Sequence, residues 1–516
     1  MDGVAQPLRG RVPAAALLLV GVVALLAASV AAGHGMRVAG ALTLAVAVII
    51  LAARSLVRWH VVVGLIVGVA MFIPIRRYQF ASGLPFDLEP YRILLSIVGC
   101  LWIAHLLADP KVRLRRSGFE GPLGLFLLAI LGSIVTNMDG LQHRDSFILL
   151  GSTFVHEDLA VDVLKSLAFL MSFYVTFYLV VSVIRSEWAI NAVLKTLVGC
   201  ATVVAFFAMI EARTHYNVFD HLQGVLPASQ FGGSLTEANI GRGGRLRVYA
   251  SAQHPIALAN VLVMLMPIAI YLLHYTRQRI WAVSVLLIGL AALSTVSRTS
   301  ITTMAAELVV FLWLRRQSVK KLWPLVLPAL LVVHIALPGT IGGIRQAFFP
   351  SQGLISDQTK FEGRVSADRL NPQFAIIKAN PAFGKGYGTR ITEATVRQNA
   401  QVLDDQWLGT AVETGLVGVA AWVWLFFRFI RRAGKEAKRD LSARGWLLTS
   451  LAASVAAFAV GMATYDAFSF IQVTLVVFIL IALGACTLAT PGPWGSVGGA
   501  VPPPPARFRR SARDGP

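Results

Sequence analysis

Runs of apolar residues, separated by short polar breaks, fill almost the whole 516-residue chain. Continuous apolarity predicts helices over 13–32, 38–53, 59–75, 91–108, 121–137, 164–184, 189–210, 255–274, 280–296, 299–315, 322–338, 406–428, 445–463 and 468–488. Most are long enough to cross a hydrocarbon core of about 30 Å, which takes roughly 17–25 helical residues. Lipid offers no partner to backbone N–H and C=O groups, so such runs favour helix. The expected fold is an all-α integral membrane protein of about fourteen transmembrane helices, with one polytopic domain over 13–488. Residues 1–12 precede it, and 489–516 follow as a Pro/Arg-rich tail that reads as a disordered tether. Residues 1–32 also resemble a signal peptide, with Arg9 and Arg11 before an apolar core and then Ala28-Ser29-Val30-Ala31. The length of that core and the immediate second run favour an uncleaved helix.

Composition agrees with this pattern: 56% of residues are hydrophobic and 14% charged, against about a quarter charged in soluble domains. Charge then sets orientation. Alternate connections carry Arg54/Arg58, Lys111 to Arg116, Arg185, Arg277/Arg279, Arg315 to Lys321 and Arg428 to Arg444. Together with the two termini they hold 26 Lys/Arg against 7 Asp/Glu, which is +19 of the formal +20. The positive-inside rule puts that face, with both termini, in the cytoplasm. An excess spread over short loops beside anionic headgroups means lipid contact rather than a nucleic-acid groove. Cys100, Cys200 and Cys486 lie inside apolar runs without metal-ligand spacing, so neither a disulfide framework nor redox chemistry is expected.

Two outer segments, 211–254 and 339–405, are far longer than the other connections, and function is expected there. The first ends in Gly241-Arg242-Gly243-Gly244-Arg245-Leu246-Arg247, then Tyr249 and His254-Pro255. Glycines let backbone N–H groups approach an anion, and guanidinium forks bind phosphate oxygens bidentately. A flexible basic loop beside headgroups is the competing account. His254 suits a helix cap or an interfacial stack, and Pro255 suits a first helical position. Arg298, in the short turn Ser294-Thr295-Val296-Ser297-Arg298, sits at a membrane boundary, where a charge is costly unless it snorkels or serves function.

In the second segment Arg364 and Arg369 flank a stretch in which Ala367, Leu370, Phe374 and Ile377 recur at helical spacing. A short amphipathic helix is expected there, ended by Asn380-Pro381. A glycine turn with Lys385 follows, but no strand precedes it and the spacing is not that of a nucleotide loop. Asp404-Asp405 close the segment, where a carboxylate can act as general base or cap the next helix. Asp87-Leu88-Glu89 is read as the start of a helix rather than a metal motif, and Glu307 is expected to face protein.

At these residues the chain resembles the O-antigen ligase and polymerase superfamily. The resemblance is carried in order by the Arg/Gly loop into His254-Pro255, by Ser297-Arg298, by Arg369 through Asn380-Pro381-Ala382-Phe383-Gly384-Lys385-Gly386, and by Asp405-Gln406-Trp407-Leu408 with Glu413-Thr414-Gly415-Leu416-Val417-Gly418. It implies a GT-C-like helical bundle and a metal-independent, inverting glycosyltransferase without a cofactor. Such an enzyme passes a glycan from a polyprenyl-diphosphate carrier to an acceptor hydroxyl, on a glycan or lipid-glycan, at the outer face of the bacterial inner membrane. Carried over, Arg245 or Arg247 and Arg298 hold the diphosphate. The histidine that ligases place before the last outer-loop helix is absent, and Asp404-Asp405 occupy its place, which favours a polymerase or another polysaccharide-joining relative. Two other classes compete: a transporter or flippase of lipid-linked sugars, and a non-catalytic scaffold for envelope assembly.

Overall fold

The computed structural model describes residues 58–80, 88–108, 112–138, 159–224, 229–235, 241–242, 245–322, 367–388 and 405–490, with a few single residues between them. Within these lie twelve α-helices: α1 (Trp59–Phe72), α2 (Pro90–Ala108), α3 (Glu120–Thr136), α4 (Leu159–Val183), α5 (Glu187–Thr214), α6 (Pro255–Thr276), α7 (Ile280–Ser294), α8 (Arg298–Leu322), α9 (Ala367–Ala379), α10 (Gln406–Arg439), α11 (Ala443–Gly461) and α12 (Ile471–Ala489). Eleven coincide with expected membrane runs, and α9 is the expected helix of the second long segment. The runs at 13–32 and 38–53 and most of 322–338 lie outside the described residues. Among the described residues seven helices are long and apolar enough to cross a membrane, and three shorter ones are apolar.

This is an integral membrane protein. Its exposed surface carries Leu107, Leu128, Val135, Ile103, Val309 and Phe427, each more than half exposed. Apolar surface on that scale is not left to water and is the face a bilayer covers. The interior is built on α12, which is buried almost wholly, with α6 and α11 against it. A helix that is apolar all round must be enclosed by others, and α12 meets that need. Around this centre α8 packs on α11, α3 on α10, α7 on α5 and α6, and α1 on α5. Glu307 of α8 is buried, facing protein as expected.

Helix starts follow local chemistry. Ser186 accepts the amide of Ala189 ahead of α5, and Ser442 that of Arg444 ahead of α11, each satisfying a donor that has no intrahelical partner. Pro255 opens α6, where a missing N–H costs nothing.

One long-range strand pair and one small hairpin lie at one end of the bundle. β1 (Tyr78–Phe80) pairs antiparallel with β2 (Ser229–Phe231), and β3 (Gly241–Arg242) with β4 (Arg245–Leu246). At the opposite end Arg428 and Arg432 both donate to the carbonyl of Gly118, at 2.8 and 3.1 Å, and Arg315 to those of Ala437 and Asp440, both at 2.8 Å. These contacts tie together connections that an alternating path of helices brings to the same end.

Candidate active site

The Arg/Gly loop and the Ser297-Arg298 turn meet. Arg247 is buried, and its Nε donates to the carbonyl of Thr295 at 2.8 Å. Thr295 lies in the tight connection between α7 and α8, where Val296 takes a left-handed φ of +47° and Arg298 opens α8. Such a φ is unfavourable for a β-branched residue and persists only where surrounding contacts over-determine it. The Arg/Gly loop is thus anchored, through Arg247, on the turn from which Arg298 opens α8. The α8 N-terminus, whose amides lack intrahelical partners, adds positive potential there.

A hairpin absent from the sequence-based site joins this corner to Asp405. Between α11 and α12, Thr464 Oγ1 lies 3.0 Å from Thr299 Oγ1 on one side. On the other side the amide of Gln406 donates to Met462 O at 2.7 Å, the Gln406 carboxamide accepts from the amide of Phe468 at 2.9 Å, and the Trp407 indole donates to Ala459 O at 3.1 Å. Asp466 is buried in the same hairpin and accepts from Ser469 Oγ at 2.9 Å. Tyr465 beside it is fully buried, which pushes its phenol pKa up. His254 reaches the hairpin as well: its ring stacks on Phe470 at 5.8 Å while Nδ1 accepts the amide of Ile256 at 3.2 Å, so both the capping and the stacking roles are filled. Asp405 caps α10, accepting from the Leu408 amide at 3.1 Å. A carboxylate in a connection of few residues was a signal available at Asp466, on the argument that singled out Arg298.

The two glycine-bearing landmarks of the chain turn out to be partners. Helix α10 is interrupted at Gly415, whose φ is +67°. The turn 381–386 fills the interruption: the amides of Lys385 and Gly386 donate to the carbonyls of Val412 and Glu413 at 2.8 and 3.3 Å, and those of Leu416 and Val417 to the carbonyls of Pro381 and Ala382 at 2.9 and 3.3 Å. Backbone groups released by a break inside an apolar bundle need partners, and the turn supplies them. The approach requires glycine: a Cβ at Gly415 would lie 2.2 Å from Ala382 O, and one at Gly384 2.5 Å from Val412 O. Ser133 of α3 and Asn137 at its C-terminal cap complete the joint, donating to Glu413 O at 2.5 Å and Gly384 O at 3.3 Å. Lys385 is half-buried here, and burial lowers its pKa.

Arg242 and Arg245 are register partners across the β3–β4 hairpin, two residues before Arg247. Arg369 lies in α9. Asp404 and Arg364 lie outside the described residues. In α9 the face turned to protein is that of the fully buried Gln373, while Phe374 is 47% exposed. Glu89 pairs with Arg92 at 3.0 Å at the start of α2. Sequence reasoning also missed Arg77, Asp220 and Glu211, which hold the chain just after Arg247.

Residues 282–423, from α7 to the middle of α10, match the family model described as O-antigen ligase. Over this stretch the chain is similar to the O-antigen ligase family. No curated protein matches the chain. The matched stretch contains Arg298, helix α9, the 381–386 turn, Asp405 and the Gly415 interruption, while Arg247 reaches it from outside through Thr295. As an O-antigen ligase-like, multi-pass membrane protein it belongs to polysaccharide biosynthesis, with glycan transfer as its type of chemistry.

Proposed function

We propose that this O-antigen ligase-like protein takes a glycan from a polyprenyl-diphosphate donor and joins it to an acceptor hydroxyl, as a polysaccharide polymerase or ligase. It works at the outer face of a bacterial inner membrane, with both termini in the cytoplasm. The acceptor oxygen attacks the anomeric carbon, the bond from that carbon to the diphosphate oxygen breaks, and its electron pair leaves with the diphosphate. Backside attack inverts the anomeric centre. Arg247 and Arg298, with Arg245 beside them, hold the diphosphate as its charge grows, and Asp405 takes the acceptor proton. No metal enters this scheme. Fixed guanidinium groups aimed at developing charge in a partly dry site are worth far more than in water.

The observation that carries this reading is the Arg247–Thr295 hydrogen bond, which anchors the Arg/Gly loop on the turn that leads into Arg298. The hairpin 462–470 extends the same network from Thr299 to Gln406, which supports assigning Arg298 and Asp405 to one site. A transporter is the alternative favoured by one observation, the interrupted helix α10, because discontinuous helices line the substrate sites of many transporters. Here the freed backbone groups are taken up by the 381–386 turn instead of facing a substrate. Purified protein in liposomes, given labelled polyprenyl-diphosphate glycan and acceptor, separates the two. Formation of a glycosidic bond with release of the diphosphate carrier supports transfer; movement of donor across the bilayer with no new bond assigns transport instead.

A further inference from the structure

The chain just after Arg247 is held by a buried polar cluster that the transfer chemistry does not use. Arg77 lies between α1 and β1 and is 5% exposed. Its guanidinium is ion-paired with Asp220, 143 residues further along the chain. The same guanidinium donates to two backbone carbonyls, Ala250 O at 2.5 Å and Ala252 O at 3.1 Å, and lies 4.9 Å over the ring of Tyr249. Tyr249 in turn donates its phenol to Asp220 Oδ2 at 2.7 Å. From the other side the carboxylate of Glu211, in the last turn of α5, accepts the amides of Tyr249 at 3.1 Å and Ala250 at 2.8 Å. Asn217 donates to Ala250 O at 3.1 Å. Ala250 therefore has its amide and its carbonyl both held, and it sits in the left-handed region at φ +42°.

The chain is thus pinned two to five residues after Arg247, by Arg77 from one stretch and by Glu211, Asn217 and Asp220 from another. Burying an ion pair carries a desolvation cost, and well-packed apolar residues hold a fold as well or better. Charge is the better choice where a particular backbone path must be imposed, because a guanidinium fork fixes the direction of two carbonyls at once. Burial lowers the pKa of Arg77 and the carboxylate of Asp220 opposes that effect, so the pair is interdependent. Val248, between Arg247 and the pinned residues, is buried and leaves little slack for the path to be transmitted.

We infer that Arg77, with Asp220 and Glu211, is a positioning residue for glycan transfer, setting where the Arg247 guanidinium stands against Thr295 and hence against the donor diphosphate. The inference rests on the proposed role of Arg247 as a diphosphate ligand. A misplacement near 1 Å costs a positioned group about 10²-fold in rate.

The test is a double-mutant cycle on the full-length protein in liposomes, with polyprenyl-diphosphate glycan as donor, reading kcat and donor KM separately. Arg247→Ala, Arg77→Ala and the double variant are compared with wild type. Arg77→Ala is expected to lower kcat/KM by about 10²-fold, and to add less than about threefold once Arg247 is already Ala, because groups that act through one another are not additive. Arg77→Lys keeps the charge but loses the fork and is expected to rescue only in part. Should Arg77→Ala fail to fold, Asp220→Asn and Tyr249→Phe, which are close to isosteric, carry the same cycle. Losses that multiply in the double variant mark a general structural role and overturn the inference. So does full activity of Arg77→Ala when Arg247→Ala is impaired. Wild-type activity of Arg247→Ala is a different failure and removes the diphosphate-binding role itself.

Discussion

The backbone amide of Lys385 donates to the carbonyl of Val412 across 2.8 Å, inside the interruption of helix α10. The contact fixes the turn 381–386 of the second long segment against the first two turns of α10, the helix that Asp405 caps.

The tightness of this joint makes Gly415 sensitive. Gly415→Ala introduces a Cβ 2.2 Å from Ala382 O at a left-handed φ. Strain of that kind costs about 1–3 kcal/mol before the clash is counted. Thermal unfolding in detergent is expected to show a clear loss of stability together with loss of transfer. Gly199→Ala, whose Cβ meets nothing within 4 Å in helix α5, serves as control and is expected to be neutral or stabilising. Equal behaviour of the two variants would contradict the joint.

Asp405 has two separable roles. Its side chain caps α10, and asparagine caps about as well as aspartate. Asp405→Asn should keep the unfolding midpoint within about 0.5 kcal/mol yet lower transfer by about 10²-fold or more, because the amide cannot accept the acceptor proton. Asp405→Ala should lose the cap as well, at about 1 kcal/mol. Transfer by Asp405→Asn at the wild-type rate would leave capping as the whole role of this residue.

Lys385 supplies a pH signature. Burial disfavours its charged form and lowers its pKa. The neutral amine therefore appears at lower pH in the folded protein than in the unfolded chain, whose lysines titrate near about 10.4. Between the two values the unfolded state binds the extra proton, so this group's contribution to stability rises with pH through that window. Acylation of Lys385, read by peptide mass as a function of pH, should have its midpoint below 10.4, and a midpoint at or above that value would contradict its burial.

The helices were legible because lipid demands continuous apolarity, and eleven of the predicted runs stand as helices between Trp59 and Ala489. Capping was legible too: Asp405 and His254 cap their helices, and Pro255 opens one. The break in α10 was not, since Glu413-Thr414-Gly415-Leu416 reads as part of one apolar run and its partner lies some thirty residues earlier. Nor was the grip of Arg77 on the chain after Arg247, because an ion pair across 143 residues leaves no periodic trace. The hairpin at Asp466 was passed over because its flanking runs looked like ordinary spans.

Removal of both proposed diphosphate arginines is the most direct test of glycan transfer from a diphosphate donor. With Arg247→Ala and Arg298→Ala combined, transfer from polyprenyl-diphosphate glycan in liposomes should fall by at least about 10²–10³-fold, the range seen for loss of a single oxyanion donor, while thermal unfolding confirms a folded protein. Undiminished transfer by the folded double variant would contradict the assignment of these guanidiniums to the diphosphate.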